Sequence, residues 1–329
     1  MSFKRLDPED FLVSVDSVTA TAWSTNSPTL STFFTSSVAS TNDSYYKNVY
    51  QTASTLSNAA IQFAIAYGNK QGSGSALFND AIIGSSPTRT IYGQYRNLVY
   101  GSETAEFIFG TITASDFWAI SIDRSRYKEH LLKGTFNLQI RSGSTTINLT
   151  DNSGMVSTDT YLDCGRVYQI ISGSNGTAFS GTGYSPSSGS YGLFLPDIAT
   201  IILNPLAVSQ SIGLSPSRSF DSDGQNISRL FTAVSGAASF QLNSEETVTS
   251  DYVFVRARNS EFNYSENPSF ISGSTGDVLY SNFINSPQTY MTTVGFYNDT
   301  NDLLAVAKLS KPLTKDFTKE ALVRVKLDF

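Results

Sequence analysis

Lysine, glycine and small hydroxylic residues crowd together in YGNKQGSGS, residues 67–75, where the chain most looks like a phosphate cradle. A Walker loop sets its lysine directly after the last glycine and follows it with Ser or Thr, so that the ammonium reaches the terminal phosphates and the hydroxyl holds magnesium. Here Lys70 sits early, before Gly72 and Gly74, and Ser73 follows Gly72. The dinucleotide fingerprint fails as well, because GSGSAL has Leu77 where the third glycine belongs and no βαβ series surrounds it. The stretch reads instead as a turn in which glycines permit tight bends or close approach of another chain. No cofactor is expected.

His130, in RYKEHLLKG, is the only histidine, so any Ser-His-Asp or Cys-His nucleophile system must run through it. No serine stands in a G-x-S-x-G elbow to match it, and its neighbours Arg126, Lys128, Glu129 and Lys133 read as a solvated helical or turn face. Two-histidine metal sites are excluded, and a single cysteine, Cys164, excludes thiolate-rich ones. Acid pairs suit glycoside hydrolysis when the fold holds them a few ångströms apart, but DSDG, NSEE and NDTND are explained equally as solvated turns. DSDGQN, residues 221–226, puts its glycine at the fourth position of a calcium loop instead of the sixth and lacks the bidentate glutamate. Asn-x-Ser/Thr triplets at Asn148, Asn226 and Asn263 arise by chance in so Ser/Thr-rich a chain.

Arginine and tyrosine make the remaining candidate. RTIYGQYRNLVYG brings together Arg89, Tyr92, Tyr95, Arg96 and Tyr100, and DRSRYKEHL adds Arg124, Arg126 and Tyr127. These types are enriched at protein interfaces because they join a large apolar area to a hydrogen-bonding tip. An ordinary amphipathic surface or core edge accounts for them as well.

The elements that must position these residues are mostly strands. Apolar residues make up 40% of the 329 and aromatics 12%, enough for a packed core, while only 15% are charged. The deficit is filled by Ser, Thr, Asn and Gly, as in turn-rich β-structure. FWAISID alternates; TFNLQIRSGSTTINLT reads as a hairpin turning at residues 142–144; RVYQII, YGLFL and ATIIL read as further strands. In the last segment Ala321, Val323, Val325, Leu327 and Phe329 share one face of a strand, with TYMTTVGFY and LLAVAKLS forming a hairpin before it. Helix is expected over residues 52–67, from the spacing of Leu56, Ala60, Phe63, Ala64 and Tyr67, and around Ile227, Leu230, Phe231 and Val234.

The expected class is mainly β with a few short helices, α+β, organised as two β-rich domains behind an extended N-terminal arm. The arm covers the Ser/Thr-rich residues 1–50, the first domain 51–205 with a Gly/Ser-rich loop near 172–190, and the second domain 206–329. A net charge of −6 with no Lys/Arg run argues against nucleic acid as a partner. No window reaches the roughly 18 apolar residues of a membrane span and no signal peptide opens the chain, so a protein made in a cytoplasm and free of membranes is expected.

Several stretches carry a family likeness. AYGNKQGSGS, YGQYRNLVYG, SRYKEHLLKG, IILNP, EFNYSENPSF, TYMTTVGFYND, LLAVAKLSKPL and VRVKLDF resemble virion structural proteins of large contractile-tailed phages, those of marine cyanobacteria above all. The likeness spans residues 63–329 and brings no catalytic motif. It implies a non-enzymatic structural subunit in the tail or baseplate, made in the host cytoplasm, located in the virion, and partnered by other virion proteins or by itself. A neck or capsid-surface position, a receptor-binding or adhesion module, and a glycan hydrolase stand as alternatives.

Overall fold

The computed structural model describes residues 3–35, 46–74, 86–218 and 225–328. It is mainly β, 44% strand against 15% helix, in agreement with the expected α+β class. In chain order the strands are β1 (Phe11–Thr21), β2 (Thr29–Leu30), β3 (Phe34–Thr35), β4 (Lys47–Tyr50), β5 (Ile61–Asn69), β6 (Phe107–Phe109), β7 (Ile112–Ala114), β8 (Asp116–Ile122), β9 (His130–Leu131), β10 (Asn137–Ser142), β11 (Thr145–Asp151) and β12 (Thr160–Leu162). There follow β13 (Gly165–Ser174), β14 (Thr177–Ala178), β15 (Gly192–Leu195), β16 (Thr200–Leu203), β17 (Phe240–Gln241), β18 (Asn243–Ala257), β19 (Gln288–Tyr297), β20 (Leu303–Asp316) and β21 (Ala321–Asp328). The α-helices are α1 (Thr88–Tyr100), α2 (Pro205–Ile212), α3 (Asn226–Ala237) and the single turn α4 (Asn282–Asn285).

Two compact units result, a larger one of Val18–Glu246 and a smaller one that joins Met1–Ser17 to Thr247–Phe329. The expected partition at 50 and 205 is thereby revised. PLAVSQSI, in which the expected 205/206 boundary falls, is a helix: Asn204 caps it by accepting from the Leu206 amide (3.0 Å), Pro205 starts it, and Ala207, Val208 and Ile212 are buried. The N-terminal arm is revised too, since β2, β3 and β4 are sheet strands with Leu30 and Val49 buried; residues 36–45 of it lie outside the described residues.

The larger unit is built on one curled sheet in the order β2-β17-β10-β11-β13-β15-β16-β8-β5-β4-β3, its paired strands antiparallel. Its two end strands, β2 and β3, are separated by only three residues of chain, which holds the sheet's edges within roughly 14 Å of each other. On one face Phe63, Tyr67, Trp118, Ile120, Phe136, Leu138, Ile170, Phe194 and Ile201 form the main core. Helix α3 packs there through Ile227, Leu230 and Val234, touching both β10 and β5, strands far apart in the sheet order. The Trp118 indole donates to the Asn226 carbonyl (2.9 Å).

On the other face α1 and the β6–β7 hairpin cover β5, β8, β15 and β16. Ile91, Tyr92, Val99, Phe107 and Phe109 pack there on Ala66, Phe117, Ala119, Leu193, Leu195 and Ile202. This two-sided burial corrects the helix expected over 52–67. From Phe63 to Tyr67 the strand is apolar on both faces, and so short an apolar run has no period to tell strand from helix. The hairpin at 137–151 forms as expected, Gly143 taking φ 59° in its two-residue turn. The Gly/Ser-rich loop folds back on its own sheet, with β14 pairing Gly173 and Ser174 and Asn204 donating to the Ser188 and Ser190 carbonyls (2.8 Å each). Gly192 ends that return at φ 155°, where a Cβ would collide with the Ile202 carbonyl.

In the smaller unit β18 lies between β1 and β21, and β19 pairs with β20 in a separate two-stranded ribbon. The β18–β21 ladder runs from Ser250↔Asp328 to Ala257↔Ala321. Strand β21 keeps the expected alternation, Ala321 and Val325 being buried and Leu322, Arg324, Lys326 and Asp328 exposed. Phe329 lies outside the described residues.

Candidate functional site

Helix α1 holds five of the eight candidate interface residues, and the fold uses most of them internally. Tyr92 is 1% exposed and donates to the Ala114 carbonyl (3.2 Å). Tyr95 shares a hydrogen bond with the Ser121 hydroxyl (2.9 Å) and sets its ring edge-on to Phe117, and Tyr100 does the same to Phe107. Burial pushes all three phenols above their ordinary pKa. Arg96 is half-buried with its guanidinium near the Tyr92 ring, and Arg89 alone of the five is exposed. Arg124, Arg126 and Tyr127 sit on the turn after β8, where Arg124 lies over the Tyr127 ring at 4.7 Å and donates to its carbonyl (2.6 Å). Each group keeps its own partners, and the two do not form one patch.

Arg89 does meet the glycine-rich stretch. Lys70, Gln71, Arg89, Glu106, Thr113, Ala114 and Ser115 line an open cleft of about 430 Å³. Residues 67–69 close strand β5, and the turn after them is held by Lys70 amide donation to the Ser115 carbonyl (2.7 Å) and Gly72 amide donation to the Asn69 carbonyl (3.0 Å). The bend thus follows a strand, whereas the sequence suggested a helix. Gly68 is needed in the strand just before the bend because a Cβ would stand 2.6 Å from the Phe117 ring. Lys70 is ion-paired with Glu106, whose hydrogen bond raises the lysine's pKa and whose charge cancels it across the cleft.

His130 and the acids of NSEE and NDTND are held in ion pairs and turn hydrogen bonds. His130 lies on β9, not on a helical face, and its Nε2 meets Glu245 at 3.1 Å. Burial pushes the Cys164 thiol up to about 11, the reverse of an activated thiolate. In NSEE, Glu245 takes His130 and Glu246 takes Lys128 (2.7 Å). NDTND closes the β19–β20 hairpin, Asn298 accepting from the Thr300 and Asp302 amides, as a turn does. Asp221 and Asp223 lie outside the described residues. Among the described residues no three His, Cys, Asp or Glu side chains gather as a metal site would need.

Two features escaped the sequence reading. Lys315 is fully buried, its ammonium donating to the Asn263 Oδ1 (2.7 Å) and to the Asn259 and Asp316 carbonyls (3.1 and 2.9 Å). Strand β1 is exposed almost throughout, with Phe11, Leu12, Val13 and Val15 each at 50% or more. Its alternating FLVSV was the available signal, hidden by its place in a Ser/Thr-rich region.

No family model matches the chain, and no curated protein or solved structure matches it.

Proposed function

We propose that this chain is a non-enzymatic structural subunit of a bacteriophage virion, a tail or baseplate part that assembles through β-rich surfaces with other virion proteins or with copies of itself. The observation that carries the reading is the apolar surface of the smaller unit. Its buried apolar side chains among the described residues are Val253, Ala257, Ala321 and Val325. Against these it exposes Phe11, Leu12, Val13, Val15, Leu303, Leu304, Val306, Phe317 and Leu322. Large exposed apolar surface on a folded chain marks an interaction site. The partnered state of His130 and the paired acids, and the raised pKa of the Cys164 thiol, support a role without catalysis, and the resemblance in residues 63–329 supplies the virion context.

Mass spectrometry of particles purified to homogeneity, with antibody labelling of intact particles, tests the reading. The chain is expected in stoichiometric amount, with label on the tail or baseplate. Its absence from pure particles overturns the proposal, and label on the neck or capsid moves it. Exposed Tyr264, Tyr280, Tyr290 and Tyr297 favour a second reading, an adhesion module. That reading requires the soluble chain to bind host cells or block adsorption.

A further inference from the structure

We infer that copies of this chain join head to tail by β-augmentation, strand β1 of one copy pairing with strand β21 of the next; the inference rests on the structural-subunit reading and names its partner. With β18 between them, β1 and β21 each leave one backbone edge unpaired among the described residues. Edge strands of natural proteins are kept from pairing by shortness, by charges, by proline or by a bulge. Strand β1 has none of these defences along most of its length: eleven residues, FLVSVDSVTAT, with one charge and neither proline nor glycine. Strand β21 offers eight residues with no proline, and its Ala321, Val323, Val325 and Leu327 lie on one face. Phe11, Val13 and Val15 likewise share a face of β1, so a pairing in matching register continues a single apolar face across both strands.

Charge selects the second copy's opposite edge. Between residues 6 and 46 the sequence has no Lys or Arg, while Asp7, Glu9, Asp10 and Asp16 lead into and lie on β1. On β21 Lys326 pairs with Asp328 (2.8 Å) and lies within the field of Asp16 of its own copy, but Arg324 lies over the Tyr252 ring with no carboxylate partner among the described residues. A symmetric β1–β1 contact brings no basic group to Asp16, and a β21–β21 contact offers Arg324 only Asp328, which Lys326 and the Ser250 hydroxyl already occupy. The unlike pairing β1–β21 sets the basic strand against the acidic one. Such a contact is heterologous, so it propagates into a ring or an open row of subunits instead of stopping at a dimer.

Sedimentation velocity of the full chain from low to high micromolar concentration is expected to reveal association beyond a dimer that weakens as salt is raised. Val13→Lys with Val15→Lys, or Arg324→Glu alone, should weaken it roughly tenfold or more, through like charges and lysine gatekeepers at the contact, with circular dichroism unchanged. Because those changes can also disturb folding, a milder pair keeps the test decisive. On a Cys164→Ser background, a Val13→Cys chain mixed with a Val323→Cys chain should cross-link through a short thiol reagent mainly as the mixed pair. A chain that stays monomeric, association unaffected by the edge variants, or cross-linking mainly of Val13→Cys to itself each overturns the inference. A chain that is present in particles but monomeric alone overturns the edge pairing and leaves the subunit reading standing. Self-association by a chain absent from particles does the reverse.

Discussion

Asp116 opens strand β8 nearly out of solvent, accepting from the Tyr67 hydroxyl (2.9 Å) and from the Arg218 guanidinium (3.0 and 3.2 Å). Charge-assisted bonds of this kind lose most when the shared acceptor is removed. Asp116→Ala is therefore expected to cost about 1–3 kcal/mol in urea unfolding, and Tyr67→Phe less, because it leaves the arginine its partner. Asp197 makes a different test, one that depends on pH. Burial lifts its pKa, but the Arg166 guanidinium (3.0 Å from Nε) and Arg166 amide (2.7 Å) more than offset this and hold the carboxyl below its ordinary value. A depressed folded-state pKa contributes stability above the unfolded value, near 4 for Asp, and loses it as pH falls through the folded value. The gap in melting temperature between the parent and Asp197→Asn should be full at neutral pH and close steadily below about pH 4. A gap that widens in acid would mean that the Arg166 pair does not govern the carboxyl.

Helix α3 decides whether the curled sheet has a filled interior, because it reaches both β10 and β5 and its apolar side joins the main core. Leu230 is fully buried at that contact, so Leu230→Ala should cost about 2–5 kcal/mol, measured as a shift of the denaturation midpoint at unchanged slope. The same change at exposed Thr232 should be nearly neutral, and equal effects at both positions would show that the helix does not plug the sheet. This helix was legible in the sequence because only one of its faces is buried, which leaves Ile227, Leu230 and Val234 at helical spacing. The 137–151 hairpin was legible because a two-residue turn with glycine sets its register locally. Strand β5 was misread for a physical reason: α1 covers its second face, and that cover erases the alternation a strand would otherwise carry. Strands β2 and β17 were out of reach for another reason, being two residues each and paired across more than two hundred positions. The tyrosines of α1 were read by type alone, and type does not separate an interface from the second core, where Tyr92, Tyr95 and Tyr100 are packed.

The two units differ in how much of themselves they bury, and this sets where the molecule is expected to open. Both apolar clusters belong to the larger unit, including Trp118, Phe136 and Phe194, each of them fully buried. The smaller unit relies on a few aliphatic side chains, on the buried Lys315 ammonium and on ties from its N-terminal segment, such as Lys4 to Glu261 (3.1 Å) and Phe3 edge-on to Tyr297. Its β19–β20 ribbon is a lone hairpin with most of its side chains exposed or half-buried, a form that is marginal in water without further cover. Native-state hydrogen exchange should accordingly resolve two tiers: amides of β8, β15 and β16 exchanging only through global opening, and those of β19 and β20 exchanging many times faster. If neighbouring copies complete the smaller unit, raising the protein concentration must slow exchange in β1 and β21 and leave β8 and β16 unchanged. Protection that rises with concentration in β19 and β20 but not in β1 or β21 would place the contact on the ribbon and remove the edges from the assembly. Slow exchange in β19–β20 at the lowest concentration would mean that the smaller unit is complete by itself and needs no neighbour over its exposed apolar side chains.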